Sequence, residues 1–404
     1  MPKEKFSNPH AFLAHTELLT FEEILRIARI VVANGVEKLR LTGGEPLLRK
    51  GLEELVAELR RLRTPDGRDI DIALTTNASI LHKKAQALRD AGLDRVTISL
   101  DALDEGIFQS FNDVGFPAAK VLDNIRLAAD MGFRVKINTV VKRGVNESEI
   151  IRICEHFRHT GIIPRFIEYM DVGTSNGWRM TDVVPSAEVV GMIRAKWPVE
   201  PVGANYPGET ASRWRYLDGA GEFGCISSVT QAFCGECSRA RLSMDGRLYL
   251  CLFATEGYDI RTMLRGGATD FEIEQALGRI WSARDNHYSE LRSLGLAPER
   301  AKIEMSYIGG HLALVLHLFS RSVGQKAFAS VYLNTRTQVF GHPAARPRFF
   351  LRPFSSPCQA PFSMTRPPRP RPANNQYKKG SPLCSAIPLR SPSSAICSSW
   401  CASA

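Results

Sequence analysis

Between His311 and Ala404 there is not one aspartate or glutamate, and before Cys154 there is not one cysteine. Nowhere does an apolar run approach the roughly 18 residues that a membrane span needs, so no membrane partner is expected. The cysteines number nine and are unevenly spaced, which speaks against a disulfide framework and turns attention to metal ligation.

The absent acids decide how the net charge of +10 is read. The stretch from His311 holds 12 of the 52 Lys and Arg residues, leaving 40 basic against 42 acidic residues before it, a nearly neutral body. A basic excess confined to a Pro- and Ser-rich stretch predicts a disordered, solvated tail over residues 311–404 rather than a groove that tracks phosphates. No nucleic-acid partner is expected.

The body alternates two periodicities. Helical patterns cover Phe21 to Ala33, Gly51 to Leu62, Lys83 to Ala91, Pro117 to Met131, Glu147 to His159 and, more loosely, Ser186 to Ala195. Short β-rich runs lie between the first five and after them: 37–42, 70–75, 95–100, 135–140 and 165–169. Strand followed by helix, repeated, predicts an α/β fold with a parallel sheet, barrel-like or doubly wound.

In such folds the site lies at the carboxyl ends of the strands. Here they finish in Thr42-Gly43-Gly44-Glu45-Pro46, Thr75-Thr76-Asn77, Ser99-Leu100-Asp101, Asn138-Thr139 and Glu168-Tyr169-Met170. Any one of these could be a turn or helix cap. Five together, with a double Gly and a Met, predict a ligand-binding rim.

Cys234-Gly235-Glu236-Cys237 is a C-x-x-C with Cys251 downstream, and Asp245-Gly246 between them predicts a two-residue hairpin turn. That turn would pair Met244 with Arg247 and bring Cys251 opposite Ala240, gathering three sulfurs. Three thiolates suit an iron–sulfur cluster with an open iron, or zinc with a distant fourth ligand. Arg239 and Arg241 alternate along the same run and either face solvent or offer guanidinium groups to an anionic ligand. Lys136, Arg40 and Arg165 sit in or beside other β runs, so several cations could converge on a triphosphate.

The run Leu39-Arg40-Leu41-Thr42-Gly43-Gly44-Glu45-Pro46-Leu47-Leu48-Arg49, the run Arg165-Phe166-Ile167-Glu168-Tyr169-Met170 and the Cys234, Cys237, Cys251 triad resemble the molybdenum cofactor biosynthesis protein A family, the GTP 3',8-cyclases. The resemblance covers about residues 1–310, including Ser306-Tyr307-Ile308-Gly309-Gly310. It implies an incomplete parallel (β/α) barrel of the radical S-adenosylmethionine (SAM) type. It also implies SAM contacts at Gly44, Ser99 and Met170, and GTP contacts at Arg40, Thr75, Lys136, Arg239, Ala240 and Arg241. A C-terminal [4Fe–4S] cluster on Cys234, Cys237 and Cys251 would bind the purine. The product, 3',8-cyclo-7,8-dihydro-GTP, would pass to the synthase that makes cyclic pyranopterin monophosphate. The domains implied are a partial barrel over 1–227, a cluster and GTP-binding region over 228–310, and the tail.

The chain departs from the family pattern at both ends. Family members hold a second [4Fe–4S] cluster on an N-terminal C-x-x-x-C-x-x-C that is followed by Met-Pro, and this chain begins Met1-Pro2. The reading is therefore a barrel without its first strand and cluster loop, with an exposed strand edge and no radical chemistry. At the other end the family finishes at the Gly-Gly that is internal here, so the tail looks like sequence not selected as protein. Two rival readings are a non-catalytic purine-nucleotide or metal-binding protein and a peptide-modifying radical enzyme. Bacterial family members are cytosolic and eukaryotic ones mitochondrial, and the tail favours a mitochondrial parent; dimers are frequent among them.

Overall fold

The computed structural model describes residues 14–112, 115–172, 177–232, 234, 235, 237–284, 288–293 and 313–318. The chain divides into two units, Met1–His342 and Pro343–Ala404, and every described residue lies in the first.

Helix α1 (Phe21–Ala33) opens on a capping box, in which the Thr20 hydroxyl accepts from the Glu23 amide and the Glu23 carboxylate accepts from the Thr20 amide, satisfying two otherwise orphaned donors. Repeating units follow: β1 (Val36–Thr42), α2 (Leu52–Arg60), β2 (Asp71–Thr76), α3 (Leu81–Asp90), β3 (Arg95–Ser99), α4 (Glu105–Asn112), α5 (Ala118–Asp130), β4 (Arg134–Val141), α6 (Glu149–Phe157) and β5 (Ile163–Glu168). After α7 (Ser186–Lys196) come β6 (Val199–Val202), β7 (Ser212–Tyr216), β8 (Glu222–Ile226), β9 (Arg239–Leu242), β10 (Arg247–Tyr249) and β11 (Tyr258–Asp259). The helices α8 (Arg261–Arg265), α9 (Asp270–Ser282) and α10 (Tyr288–Ser293) precede the last strand, β12 (Ala313–Leu318). Among the described residues no helix is long and apolar enough to cross a membrane.

All strands join one sheet in the order β11-β10-β9-β12-β1-β2-β3-β4-β5-β8-β7-β6. The stretch from β1 to β8 is parallel and both flanks are antiparallel. The two faces of the parallel strands differ chemically because side chains alternate. Leu39, Leu41, Ile72, Leu74, Val96, Ile98, Val135 and Ile137 are buried in the hydrophobic core with the apolar stripes of α1, α2, α3 and α5. On the opposite face the register sets Lys38 beside Asp71, Arg40 beside Ala73, Thr97 beside Lys136, and Ser99 beside Asn138, which itself neighbours Arg165. A purely structural sheet covered on both faces would carry apolar residues on both.

Three expectations are corrected. Disorder from His311 onward does not hold for β12, whose Ala-Leu-Val-Leu-His-Leu is an apolar β-rich run hidden within a polar, Pro-rich average. This strand pairs with β1 on one side and β9 on the other, so the expected open edge of β1 is covered. The hairpin register also differs by one residue. Leu242 pairs with Leu248 and Arg241 with Tyr249, and the Ser243 amide donates to the Arg247 carbonyl, so the loop is Met244-Asp245-Gly246. Gly246 at φ 78° supplies the left-handed residue that closes such a three-residue loop, and there is no room for a side chain, since a Cβ would stand 2.6 Å from that of Arg261. Continuing the register brings Cys251 level with Arg239 rather than Ala240. The Ser306–Gly310 motif lies outside the described residues, as does all of the tail but β12.

Candidate functional site

Buried carboxylates build the rim. Glu45, in the loop after β1, accepts from the Thr76 hydroxyl at 2.7 Å, the Asn77 amide at 2.7 Å and the Leu47 amide at 3.1 Å, tying that loop to the end of β2. Burial raises its pKa, and those three donors work against the rise. Asp101, after β3, accepts from the Val140 amide at 2.9 Å, and burial pushes it up to about 6. Glu168, the last residue of β5, accepts from the amides of Ser186, Val229 and Thr230, each at 2.8 Å, and from the Thr230 hydroxyl at 2.6 Å. These acids face inward into the scaffold. Gly44 is exposed and Ser99 and Met170 half-buried, at the ends of alternate strands β1, β3 and β5.

Below the rim lies a chamber of cations. Arg40 donates to the Thr75 hydroxyl at 3.0 Å, and Arg165 donates to that of Thr97 at 3.3 Å. Lys38 donates to the Tyr206 hydroxyl at 3.0 Å, with its ammonium 4.5 Å from that ring's centre. Burial, reinforced by repulsion among Arg40, Arg95, Lys136 and Arg165, lowers Lys38 to about 7, Lys136 to about 8, Arg165 to about 9 and Arg40 to about 10. Asp71 and Glu209 are the anions that oppose this repulsion. So many cations with so few counter-charges form a site for a polyanion.

The hairpin extends the chamber through β12. Its register runs from Arg40 through Val315 to Arg241, and from Lys38 through His317 to Arg239, so both arginines share the row positions of the chamber cations. Ala240 is buried between them. Burial, with Arg239 adding to it, lowers Arg241 to about 10, while Cys251 and Cys237 work in the opposite direction. Burial alone would raise the Cys237 thiol, yet Arg239 and Arg284 outweigh it and bring it down to about 7. Arg239 donates to the Cys237 sulfur at 3.0 Å. Burial raises Cys251, which also feels Cys237 and Cys234. The three thiols thus share one neighbourhood, though among the described residues no group of three Cys, His, Asp or Glu stands close enough to hold a metal ion as placed. A depressed thiol among arginines fits a thiolate-held, anion-binding centre in kind.

Family models match the chain in two parts: one described as Radical SAM superfamily covers residues 7–157, and one described as Molybdenum Cofactor Synthesis C covers residues 162–290. The GTP 3',8-cyclase of Acidothermus cellulolyticus is 48% identical over 335 residues, 77% of this chain and 91% of the relative. That of Staphylococcus haemolyticus is 46% identical over 313 residues, with the same coverage. The chain belongs to the GTP 3',8-cyclase family.

Solved structures give a fainter likeness. Streptococcus suis SuiB bound to S-adenosylmethionine aligns at a TM-score of 0.37 with 18% identity, covering 44% of this chain and 40% of that one, and nothing further rests on it. The junction between the two family models falls between α6 and β5, so the cyclase family's first part supplies β1 to β4 and the second supplies β5 and the cysteine hairpin. Of the residues selected from sequence, Arg40, Thr75, Lys136, Arg239 and Arg241 come together in the chamber, and Gly44, Ser99 and Met170 stand at its rim. Lys38 and Tyr206 were missed. Lys38 was legible as a charge two residues before Arg40 and on the same face of β1, whereas Tyr206 sits in an irregular loop that carries no pattern.

Proposed function

We propose that the chain acts on GTP as a radical SAM 3',8-cyclase does, with β1 to β5 and β8 forming that superfamily's incomplete barrel. The observation that carries this reading is the row of cations running from Lys38 and Arg40 to Arg239 and Arg241, a polycationic set with three thiols in its neighbourhood. Arg40, Lys136, Arg165 and Lys38 would neutralise the triphosphate, and the Thr75 hydroxyl would donate to it once Arg40 swings to phosphate. Gly44, with no side chain, gives SAM close access to backbone, while Ser99 and Met170 line the same end. Cys234, Cys237 and Cys251 would hold a [4Fe–4S] cluster, which supplies an open metal position for the purine when bound. Residues 228–310 would thus provide the cluster with Arg239 and Arg241, and residues 1–227 the SAM contacts together with the other phosphate-facing cations.

The thiols of Cys234, Cys237 and Cys251 stand on the nucleotide side. Anaerobic iron and sulfide reconstitution of the chain, followed by GTP titration, tests this reading. About four irons per chain with GTP binding is expected. Failure to bind GTP overturns the functional reading.

A further inference from the structure

One short helix touches the segments after β5 and β8 and both cysteine loops. In α10, Arg292 pairs through one terminal nitrogen with Asp171 and donates through the other to the Ser228 carbonyl. Both members of the pair are buried, at 7% and 8% side-chain exposure. The guanidinium lies 5.1 Å from the Phe253 ring and 5.9 Å from those of Trp178 and Tyr288. Tyr288 donates to Asp171 at 2.8 Å and stacks on Phe253 with centres 4.9 Å apart. Glu290 accepts from the Gly235 amide at 3.2 Å, inside the C-x-x-C. Trp178 donates to the Tyr169 carbonyl at 2.7 Å.

These contacts bracket two sets of residues. Tyr169 and Asp171 flank Met170 at the end of β5, while Gly235 lies between Cys234 and Cys237, and Phe253 follows Cys251 by two residues. We propose that Arg292 is a positioning residue, the hub of a strap that fixes the two cysteine loops relative to the backbone at Met170. The strap sets the distance between whatever the triad holds and whatever Met170 contacts. A buried guanidinium suits this task because its planar fork makes two directed bonds at once, and aromatic faces shield both from water. Its significance for catalysis rests on the assignments of Met170 and the triad given above.

Timed alkylation of the full chain with iodoacetamide at neutral pH, read cysteine by cysteine by mass spectrometry, tests the strap directly. The buried Cys154 and Cys225 report global unfolding. Arg292→Ala is expected to speed labelling of Cys234, Cys237 and Cys251 together, by about tenfold as the loops open locally, with Cys154 and Cys225 still protected. Tyr288→Phe should do the same more weakly, and Arg292→Lys should restore part of the protection. If Arg292→Ala also exposes the core cysteines, Tyr288→Phe decides. Wild-type triad labelling in a variant whose core stays protected overturns the strap. Failure of the wild-type chain to bind SAM would count against the proposed function and leave the labelling result untouched.

Discussion

Filling the cationic chamber with a nucleoside triphosphate should draw protons from solvent. Lys38 is held down to about 7 and Lys136 to about 8. At about pH 7.5 the empty chain then carries about a quarter of a proton on Lys38 and about three quarters on Lys136, and a triphosphate beside them restores both to full charge. Net uptake is about one proton per GTP, and affinity falls about tenfold per pH unit at that point. From about pH 7 to about pH 8.5, above the last phosphate ionisation near 6, the loss accumulates to some tens of fold, or about 2 kcal/mol. Titration calorimetry of the full chain in two buffers of different ionisation heat, at one pH, counts the protons. Lys38→Met should cut the uptake to about a quarter of a proton. An uptake near zero in the wild-type chain, or equal GTP affinity at both ends of that range, refutes the reasoning. Folding of the empty chain shows the opposite trend. Lys38 keeps its proton up to 10.5 when unfolded, so more protons are bound unfolded, and stability rises with pH above about 7.

Three further outcomes are expected. Glu168→Gln leaves four donors facing a neutral amide and should lower stability by about 2–3 kcal/mol, seen as a lower urea midpoint; an unchanged midpoint contradicts the assigned role. Arg239→Ala should move the alkylation midpoint of Cys237 upward from about 7, toward the ordinary thiol value, and a fixed midpoint would mean that Arg239 does not set it. Leu316→Asp places a charge where Leu316 is buried and should free β12, costing about 2–4 kcal/mol and speeding hydrogen exchange in β1 and β9; exchange confined to residues 313–318 would contradict the pairing.

The parallel strands β1 to β4 were legible because each is short, apolar on alternate positions and followed by an amphipathic helix, whereas β8, parallel to β5, was not foreseen. α1 matches its expected span of Phe21 to Ala33, and β1 through β5 fall within two residues of the expected runs. Helix α4 was not foreseen, since Glu105–Asn112 is a short segment that buries only Phe108. The hairpin register was misread because Asp-Gly also closes three-residue loops when a preceding Ser binds its own backbone, as Ser243 does by accepting from the Arg247 amide at 3.2 Å. Strap residues Tyr288 and Arg292 were invisible for another reason. A charge such as Arg292 has no sequence mark that it will be buried, because its partners Asp171 and Ser228 are far away along the chain.

Strand β12 also bears on the order in which the molecule can assemble. β1 has two neighbours in the sheet, the next strand along and the last strand described, with nearly the whole length of the first unit between them. Pairing with β2 is local and early. Pairing with β12 closes a very long loop, a step that is slow because its entropy is lost before any contact rewards it. Until it happens β1 and β9 lie apart, and Arg40 and Arg241 belong to separate pieces of a growing chain. During synthesis a strand edge is therefore left bare for as long as the ribosome takes to reach residue 318, an interval of exposure to aggregation.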